Sequence, residues 1–288
     1  MVVHARSWLF GPAADAEVRK SMAQSQADVL IADLEDFTPP ALRMRARAGL
    51  PVLLRLWRGS GHITAVRIND LAGEGRLDLQ AAMQERPDVI LYPKAVSAAQ
   101  MKQLDAAITQ LEADLDIPAG STQIVPVCET ALGVLELRAI TTGSSRICAA
   151  LLGAEDLAAD LQAERTRQAV ELAYARGRFL LECRAAGIEP IDAPYTFSDQ
   201  QGLADEARAS KRLGYRCKSL VRMEHAQVVN EVFTPNAGEI ARARAIAAGF
   251  EAAMAKGEER ALVDGLWVEP PRYKNALRLL AHAETLKL

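Results

Sequence analysis

Three apolar runs of this chain end in carboxylates, and a fourth carries an arginine. Val29-Leu30-Ile31-Ala32 leads into Asp33-Leu34-Glu35-Asp36, Ile124 to Cys128 leads into Glu129-Thr130, and Ile147 to Gly153 leads into Ala154-Glu155-Asp156. Arg67 lies inside Ala65-Val66-Arg67-Ile68-Asn69. Short apolar runs of this kind read as buried parallel strands. Acids gathered at the ends of such strands are costly unless a cation neutralises them. A divalent metal, with an arginine for an anionic substrate, is the chemistry that satisfies both conditions.

Eight such runs are spaced along the chain. They are Ser7 to Phe10, Asp28 to Asp33, Thr64 to Asn69, Asp88 to Tyr92, Gln123 to Cys128, Arg146 to Leu151, Ile188 to Asp192 and Cys217 to Val221. Between most of them lie segments rich in Ala, Leu, Glu, Arg and Gln. Ala98 to Leu115 and Gln168 to Ala186 place apolar residues three and four apart, the helical period. Strand alternating with helix implies a parallel sheet. Eight repeats in 288 residues fit a (β/α)8 TIM barrel, which takes about 250. A doubly wound open sheet is the competing architecture, but its usual glycine-rich phosphate loop is missing after the first strand, where Phe10-Gly11-Pro12-Ala13-Ala14 stands. Residues 1–232 are expected to form the barrel and 233–288 a C-terminal helical extension. In the extension a helix is expected from Pro235 to Gly257 and another from Tyr273 to Leu286. The Pro270-Pro271 pair ahead of the last helix suggests an arm that packs on a neighbouring subunit or folds as a lid.

A parallel barrel builds its site at the C-terminal ends of its strands, where the charges of these runs fall. Glu129 ends the fifth strand and Asp156 follows the sixth, so the two carboxylates can converge on one ion. Two carboxylates completed by water and substrate oxygens suit Mg²⁺. The competing reading makes Asp156 a helix cap. Asp33, Glu35 and Asp36 either hold the waters around a metal or form a solvated turn ahead of Pro39-Pro40. Arg67 can grip a substrate carboxylate with both arms of its guanidinium, or serve as partner to Asp33 or Glu35. Lys94, after the fourth strand, reads as an ion pair within the site rather than a Schiff-base lysine, because so many acids keep an amine protonated.

Hydrophobic residues make up 50% of the chain and charged residues 25%, with a formal net charge of −3. That balance leaves no basic footprint for nucleic acid. No run approaches the roughly 20 apolar residues of a membrane span, and the N-terminus lacks the apolar stretch of a signal peptide. The four cysteines, Cys128, Cys148, Cys183 and Cys217, show no metal-binding spacing and read as buried reduced thiols. A cytoplasmic setting is expected. His4, His62, His225 and His282 are scattered and pair with no nucleophile motif.

Together these residues form a pattern that resembles the HpcH/HpaI aldolase/citrate lyase family, in particular its citrate lyase β-subunit-like branch. The resemblance rests on Arg6-Ser7-Trp8-Leu9-Phe10-Gly11-Pro12, Asp33-Leu34-Glu35-Asp36, Ala46-Arg47, Val66-Arg67-Ile68-Asn69, Tyr92-Pro93-Lys94 and Glu129-Thr130-Ala131-Leu132-Gly133-Val134. It continues through Gly153-Ala154-Glu155-Asp156-Leu157, Ala185-Ala186-Gly187, Asn230-Glu231-Val232-Phe233-Thr234-Pro235 and Asp264-Gly265. It implies a TIM barrel that makes or breaks carbon–carbon bonds next to a carbonyl with Mg²⁺ or Mn²⁺. By position Glu129 and Asp156 would be the metal ligands. Arg67 would hold the carboxylate of a 2-oxo acid such as pyruvate, oxaloacetate or glyoxylate, aided by Lys94 and by backbone N–H groups near Gly153, Ala154 and Glu155. Glu35 and Asp36 would orient metal-bound water. The resemblance also implies a homotrimer or homohexamer whose C-terminal segment reaches a neighbouring site.

Two departures mark a divergent member. Where this branch usually carries Ile-His-Pro-Ser-Gln, the chain reads Val221-Arg222-Met223-Glu224-His225. Glu269 stands where family members acting on CoA thioesters have an aspartate. Glu269 is then the expected base, contributed by a neighbouring subunit. A lyase or thioesterase acting on malyl-, citramalyl- or citryl-CoA is the alternative, and a non-catalytic ligand-binding paralogue is the second alternative.

Overall fold

Eight strands close into a parallel barrel in sequence order, with the first paired to the last. They are β1 (Ser7–Pro12), β2 (Val29–Asp33), β3 (Ile63–Arg67), β4 (Val89–Tyr92), β5 (Gln123–Cys128), β6 (Ala149–Leu152), β7 (Glu189–Asp192) and β8 (Cys217–Leu220). Helices connect them, which makes the fold a (β/α)8 barrel. The computed structural model describes residues 2–288. These divide into two compact units, one ending at Phe233 and the other spanning Thr234–Leu288.

Successive side chains of a strand face opposite ways, and the barrel sorts its residues on that rule. Trp8, Phe10, Val29, Ile31, Ala65, Leu91, Val125, Val127, Ala149, Leu151, Ile191 and Cys217 are among the buried residues of one cluster, the barrel interior. Leu9, Leu30, Val66, Ile90, Ile124, Ala150 and Leu220 belong to a second cluster, shared with Leu50, Leu104 and Phe179 of the surrounding helices. Continued by one step of two, the inward register reaches Asp33, Arg67, Glu129 and Gly153. The outward register reaches Asp192 and Lys218. Asp33 and Arg67 are direct partners in the β2–β3 pairing.

Local signals fix the helices. Ser97 and Gln100 form a reciprocal capping box at the start of Ala98–Asp114. Gly187 and Gly214 end Ala173–Ala186 and Gln200–Leu213 in the left-handed conformation that costs glycine least. Three expected boundaries move by three residues or more, among them the last helix, which begins at Pro270 rather than Tyr273. The sixth strand begins at Ala149, not Arg146, because the Arg146 guanidinium turns to Asp105 and Glu112 of helix 98–114 (2.6 Å each). The helix expected from Gln168 begins at Ala173, after a 3-10 turn at Val170–Leu172 entered through a left-handed Ala169. Among the described residues, no helix is long and apolar enough to cross a membrane.

In the C-terminal unit, Asn236 and Glu239 box the start of helix Ala237–Ala255. A hairpin follows, β9 (Ala261–Val263) and β10 (Leu266–Val268), joined by Asp264-Gly265 with φ of 49° and 74°. Positive φ at both turn positions is the geometry that Asp-Gly favours in two-residue hairpins. Helix Pro270–Thr285 begins on the proline pair, with Glu269 at its N-cap and making no side-chain cap bond. Phe250 stacks on Tyr273 at 4.7 Å over Ala253, Ala261 and Val268.

Candidate active site

Five carboxylates and two cations meet at the C-terminal end of the barrel. Arg67, 5% exposed at the end of β3, is the hub. Its Nε donates to Asp33 Oδ1 at 2.9 Å and its Nη2 to Asp33 Oδ2 at 2.5 Å. Nη1 lies 3.0 Å from Glu35 Oε2, and Nη2 lies 3.0 Å from Asp36 Oδ2. The guanidinium also sits 5.0 Å over the Phe10 ring. Burial opposes its charge, and Asp33, Glu35 and Asp36 together outweigh burial, so it stays protonated. The partner reading of Arg67 is the one the structure shows. It is the partner of Asp33 and Glu35, and it also lines the cavity. Of its three acids only Asp36 is half exposed; Asp33 is fully buried. Asp36 is the one an incoming carboxylate can replace.

Glu129, 4% exposed, projects from the end of β5. Its Oε1 accepts the Lys94 backbone N–H at 2.9 Å. Burial pushes its carboxyl up to about 7; Arg67 works against the rise, and Glu35 and Asp156 add to it. Gly153 stands in the inward register of β6 against it. A Cβ there would lie 2.5 Å from Glu129 Cβ and 2.8 Å from its Oε2. The Gly153 N–H is donated to Cys128 O at 3.0 Å, so its part in the site is to leave room. Gly153→Ala is expected to displace the Glu129 carboxylate and weaken divalent-ion binding at least tenfold, with the circular dichroism unchanged. A Mn²⁺ titration followed by electron paramagnetic resonance checks this.

Asp156 follows β6 in the first turn of helix Glu155–Asp160. That helix is capped by Ala154, with no side-chain cap bond, so Asp156 is not the cap. Its Oδ2 is buried and has no hydrogen-bond partner among the described residues. The nearest cation is the Lys94 ammonium at 3.5 Å. Lys94 also lies 3.3 Å from Glu35 Oε1. Burial lowers the affinity of this amine for its proton, but Glu35, Asp156 and Glu129 outweigh it. An amine kept protonated in this way is a poor nucleophile for a Schiff base. The Glu35 carboxyl is raised by burial, against Arg67 and Lys94 and with Asp36 and Asp33. Glu155 turns aside, bound to Thr196 Oγ1 at 2.8 Å and Arg165 Nε at 3.1 Å.

Asp36, Arg67, Glu129, Glu155 and Asp156 edge a cavity of about 100 Å³. A water needs about 10–15 Å³ of such space, so a small organic acid fits. Phe10, Phe37, Val127, Leu151, Pro194 and Val221 supply its apolar wall. Phe10 and Phe37 meet edge to face at 6.3 Å. Phe10 escapes a search for chemistry-bearing residues, although the inward register through Trp8 places it here. Of the residues where the chain departs from its family pattern, Val221 reaches the cavity. Arg222 is exposed beside Glu224 at 3.6 Å, and His225 is fully buried. The Ala46-Arg47 motif acts at a distance: Arg47 Nε donates to Asp78 Oδ1 at 2.6 Å, and Asp78 Oδ2 accepts the Asn69 backbone N–H at 2.8 Å. That chain pins the loop after Arg67.

The donor set fits a hard divalent cation. Five acids face two cations, and two of the acids carry buried oxygens without a hydrogen-bond donor, Glu35 Oε2 and Asp156 Oδ2. Among the described residues no three His, Cys, Asp or Glu side chains are grouped for a metal. A site of Glu129 and Asp156 completed by water or substrate oxygens is the arrangement Mg²⁺ tolerates and Zn²⁺ does not.

A barrel with such a site defines an acid-lined, metal-assisted enzyme. A family model described as HpcH/HpaI aldolase/citrate lyase matches residues 6–223, and the chain belongs to that family. It is 31% identical over 284 residues to the citrate lyase subunit beta of Haemophilus influenzae, covering 97% of each chain. It is 31% identical over 306 residues to an L-malyl-CoA/beta-methylmalyl-CoA lyase of Cereibacter sphaeroides, covering 98% of this chain and 95% of the relative. The crystal structure of protein CitE from Mycobacterium tuberculosis with magnesium, acetoacetate and coenzyme A superposes with a TM-score of 0.77 at 26% identity, over 97% of this chain and 98% of that one. The protein is a lyase of this aldolase/citrate lyase family.

Proposed function

We propose that the substrate is a 2-oxo acid such as pyruvate, oxaloacetate or glyoxylate, held between Arg67 and a Mg²⁺ site made by Glu129 and Asp156. The observation that carries this is the pairing of Arg67 with a displaceable Asp36 near Asp156, whose buried Oδ2 has no hydrogen-bond donor, in a cavity of small-acid size. Bound there, Mg²⁺ would supply Lewis acidity to a chelated carboxylate and keto oxygen, lowering the cost of the enolate that C–C cleavage leaves.

The remaining steps belong to the chain's own residues. Asp33 is fully buried and bidentate on Arg67, which aims the guanidinium and leaves the Nη2 side to the substrate carboxylate once Asp36 moves. The N–H groups at the start of helix Glu155–Asp160 present the positive end of a short dipole to the same carboxylate. Glu35, its carboxyl raised by burial, can hold or release a proton next to Arg67 and Lys94. A positioned acid or base of this kind contributes about 10²–10⁴ in rate. Glu269, exposed at its helix N-cap, is the candidate base supplied in trans. This requires a homo-oligomer, a trimer or hexamer, in which the 234–288 unit reaches a neighbouring subunit's site.

The expected result is Mg²⁺-dependent exchange of pyruvate methyl protons in D₂O, read by NMR. Absence of exchange across several 2-oxo acids, together with metal binding that Glu129→Gln leaves unchanged, would overturn the reading. A CoA thioester is the second reading, favoured by the equal identity to a malyl-CoA lyase. Micromolar binding of free CoA in a calorimetric titration would select it.

A further inference from the structure

Lys94 is built into the site in an unusual way. β4 ends with Tyr92 opposite Pro126, and the ladder resumes where the Ala95 N–H reaches Val127 O at 3.0 Å. Pro93 and Lys94 fill the gap as an irregular step, and such steps re-aim side chains. Lys94 takes φ of 46°, a conformation that a residue with a Cβ adopts at a cost of about 1 kcal/mol or more. Glycine would avoid that cost. The strained residue then makes two contacts at once. Its backbone N–H holds Glu129 Oε1 at 2.9 Å. Its ammonium lies 3.3 Å from Glu35 Oε1 and 3.5 Å from Asp156 Oδ2.

Both ammonium distances exceed the roughly 2.7–2.9 Å of a tight charged hydrogen bond. The Lys94 side chain is also 52% exposed, so a single long hydrogen bond, to Glu35 Oε1 at 3.3 Å, holds the ammonium. It supplies charge to Asp156 without saturating it, and the Oδ2 atom it approaches keeps no hydrogen-bond donor. A divalent ion on Asp156 would meet that ammonium at the same oxygen.

We propose that Lys94 is a displaceable counter-ion. Its ammonium neutralises Asp156 and Glu35 when no divalent ion is bound and swings toward solvent when one enters, so that lysine and metal compete for Asp156. Its backbone N–H keeps Glu129 aimed in both states. The inference rests on the Glu129–Asp156 metal reading. It gives that site a second property, a preformed geometry that does not need the metal to assemble.

The test is Mn²⁺ binding to the purified full-length protein, followed by the electron paramagnetic resonance signal of free Mn²⁺, with melting measured in parallel without added metal. Lys94→Met and Lys94→Gln remove the charge while the backbone N–H stays. Both are expected to bind Mn²⁺ about tenfold more tightly than wild type, a discounted Coulomb effect for a half-exposed charge. Both should also melt lower without metal and gain more on saturation. Lys94→Arg, which keeps the charge, should bind within about threefold of wild type. Unchanged or weaker Mn²⁺ binding in both neutral variants overturns the proposal while leaving the metal site intact. Wild type that binds no Mn²⁺, or Glu129→Gln that binds it as wild type does, overturns the metal reading and this inference with it.

Discussion

Glu129→Gln melts higher than wild type without added metal at pH 8 and loses the stabilisation that Mg²⁺ gives. The sign follows from burial. The Glu129 carboxyl is held up at about 7 in the fold, against an ordinary value of 4.5. Between those values the folded protein keeps a proton that the unfolded chain releases, so stability falls as pH rises through the window. It is fully present below 4.5 and lost above 7. The gap corresponds to about 3 kcal/mol. Glutamine keeps an oxygen for the Lys94 N–H and removes the charge, so the variant escapes that loss. A domain of this size should then melt several degrees higher. A divalent ion must displace the proton to reach the carboxylate. Calorimetry at pH 6 in buffers of different ionisation enthalpy should therefore report nearly one proton released per ion by wild type, falling toward none above pH 8. A variant that melts lower and still gains stability from Mg²⁺ would remove Glu129 from the metal site.

The acids of this site were legible in the sequence because barrel chemistry and strand periodicity agree on them. Asp33 and Glu129 end apolar runs and Arg67 lies within one, all on the inward register; Arg67 and Glu129 line the cavity and Asp33 binds Arg67 beside it. Three features were less visible. Arg67 looked like a choice between substrate ligand and structural partner, but two carboxylate oxygens of Asp33 and an exchangeable Asp36 allow one guanidinium to be both. The Lys94 backbone N–H on Glu129 depends on a positive φ that no side-chain pattern announces. The Asp264-Gly265 hairpin had its signal in the two turn residues, but its strands are three residues each, too short for a period of two to register.

Asp192 shows the opposite outcome of the same rule. It ends β7 as Glu129 ends β5, yet Ile191 takes the inward position and Asp192 faces the helices. There it is fully buried and accepts from Arg176 Nε at 3.0 Å and Nη2 at 2.7 Å, from Ser210 Oγ at 2.6 Å and from Lys218 Nζ at 2.7 Å. Burial would raise its pKa, but Arg176 and Lys218 overcome burial and hold it well below the ordinary carboxylate range. Its contribution is therefore complete above about pH 4 and is lost only in acid. Lys218, also fully buried, has Glu206 as its other acid at 2.6 Å. One strand-end acid thus lines the candidate site and the other serves architecture, separated by a single residue of register.

Asp192→Ala is therefore expected to destabilise the protein by about 3–5 kcal/mol, the cost of breaking a buried ion pair from one side, more than changes at Glu129 or Asp156. Two buried cations would be left with Glu206 alone, and Ser210 would lose its acceptor. Asp192→Asn keeps the oxygen for Arg176 and should cost less. The double variant Asp192→Ala with Lys218→Met removes one of the stranded charges, so it should be more stable than Asp192→Ala alone, a non-additive result in a double-mutant cycle. Urea denaturation of wild type, Asp192→Ala, Lys218→Met, the double variant and Asp192→Asn measures both quantities. Because this network faces away from the barrel interior, the folded fraction of Asp192→Asn should bind Mn²⁺ as wild type does. A shift in its Mn²⁺ affinity of more than about threefold, roughly 0.6 kcal/mol, would mean that the two sides of the barrel wall are coupled and that register does not separate their roles.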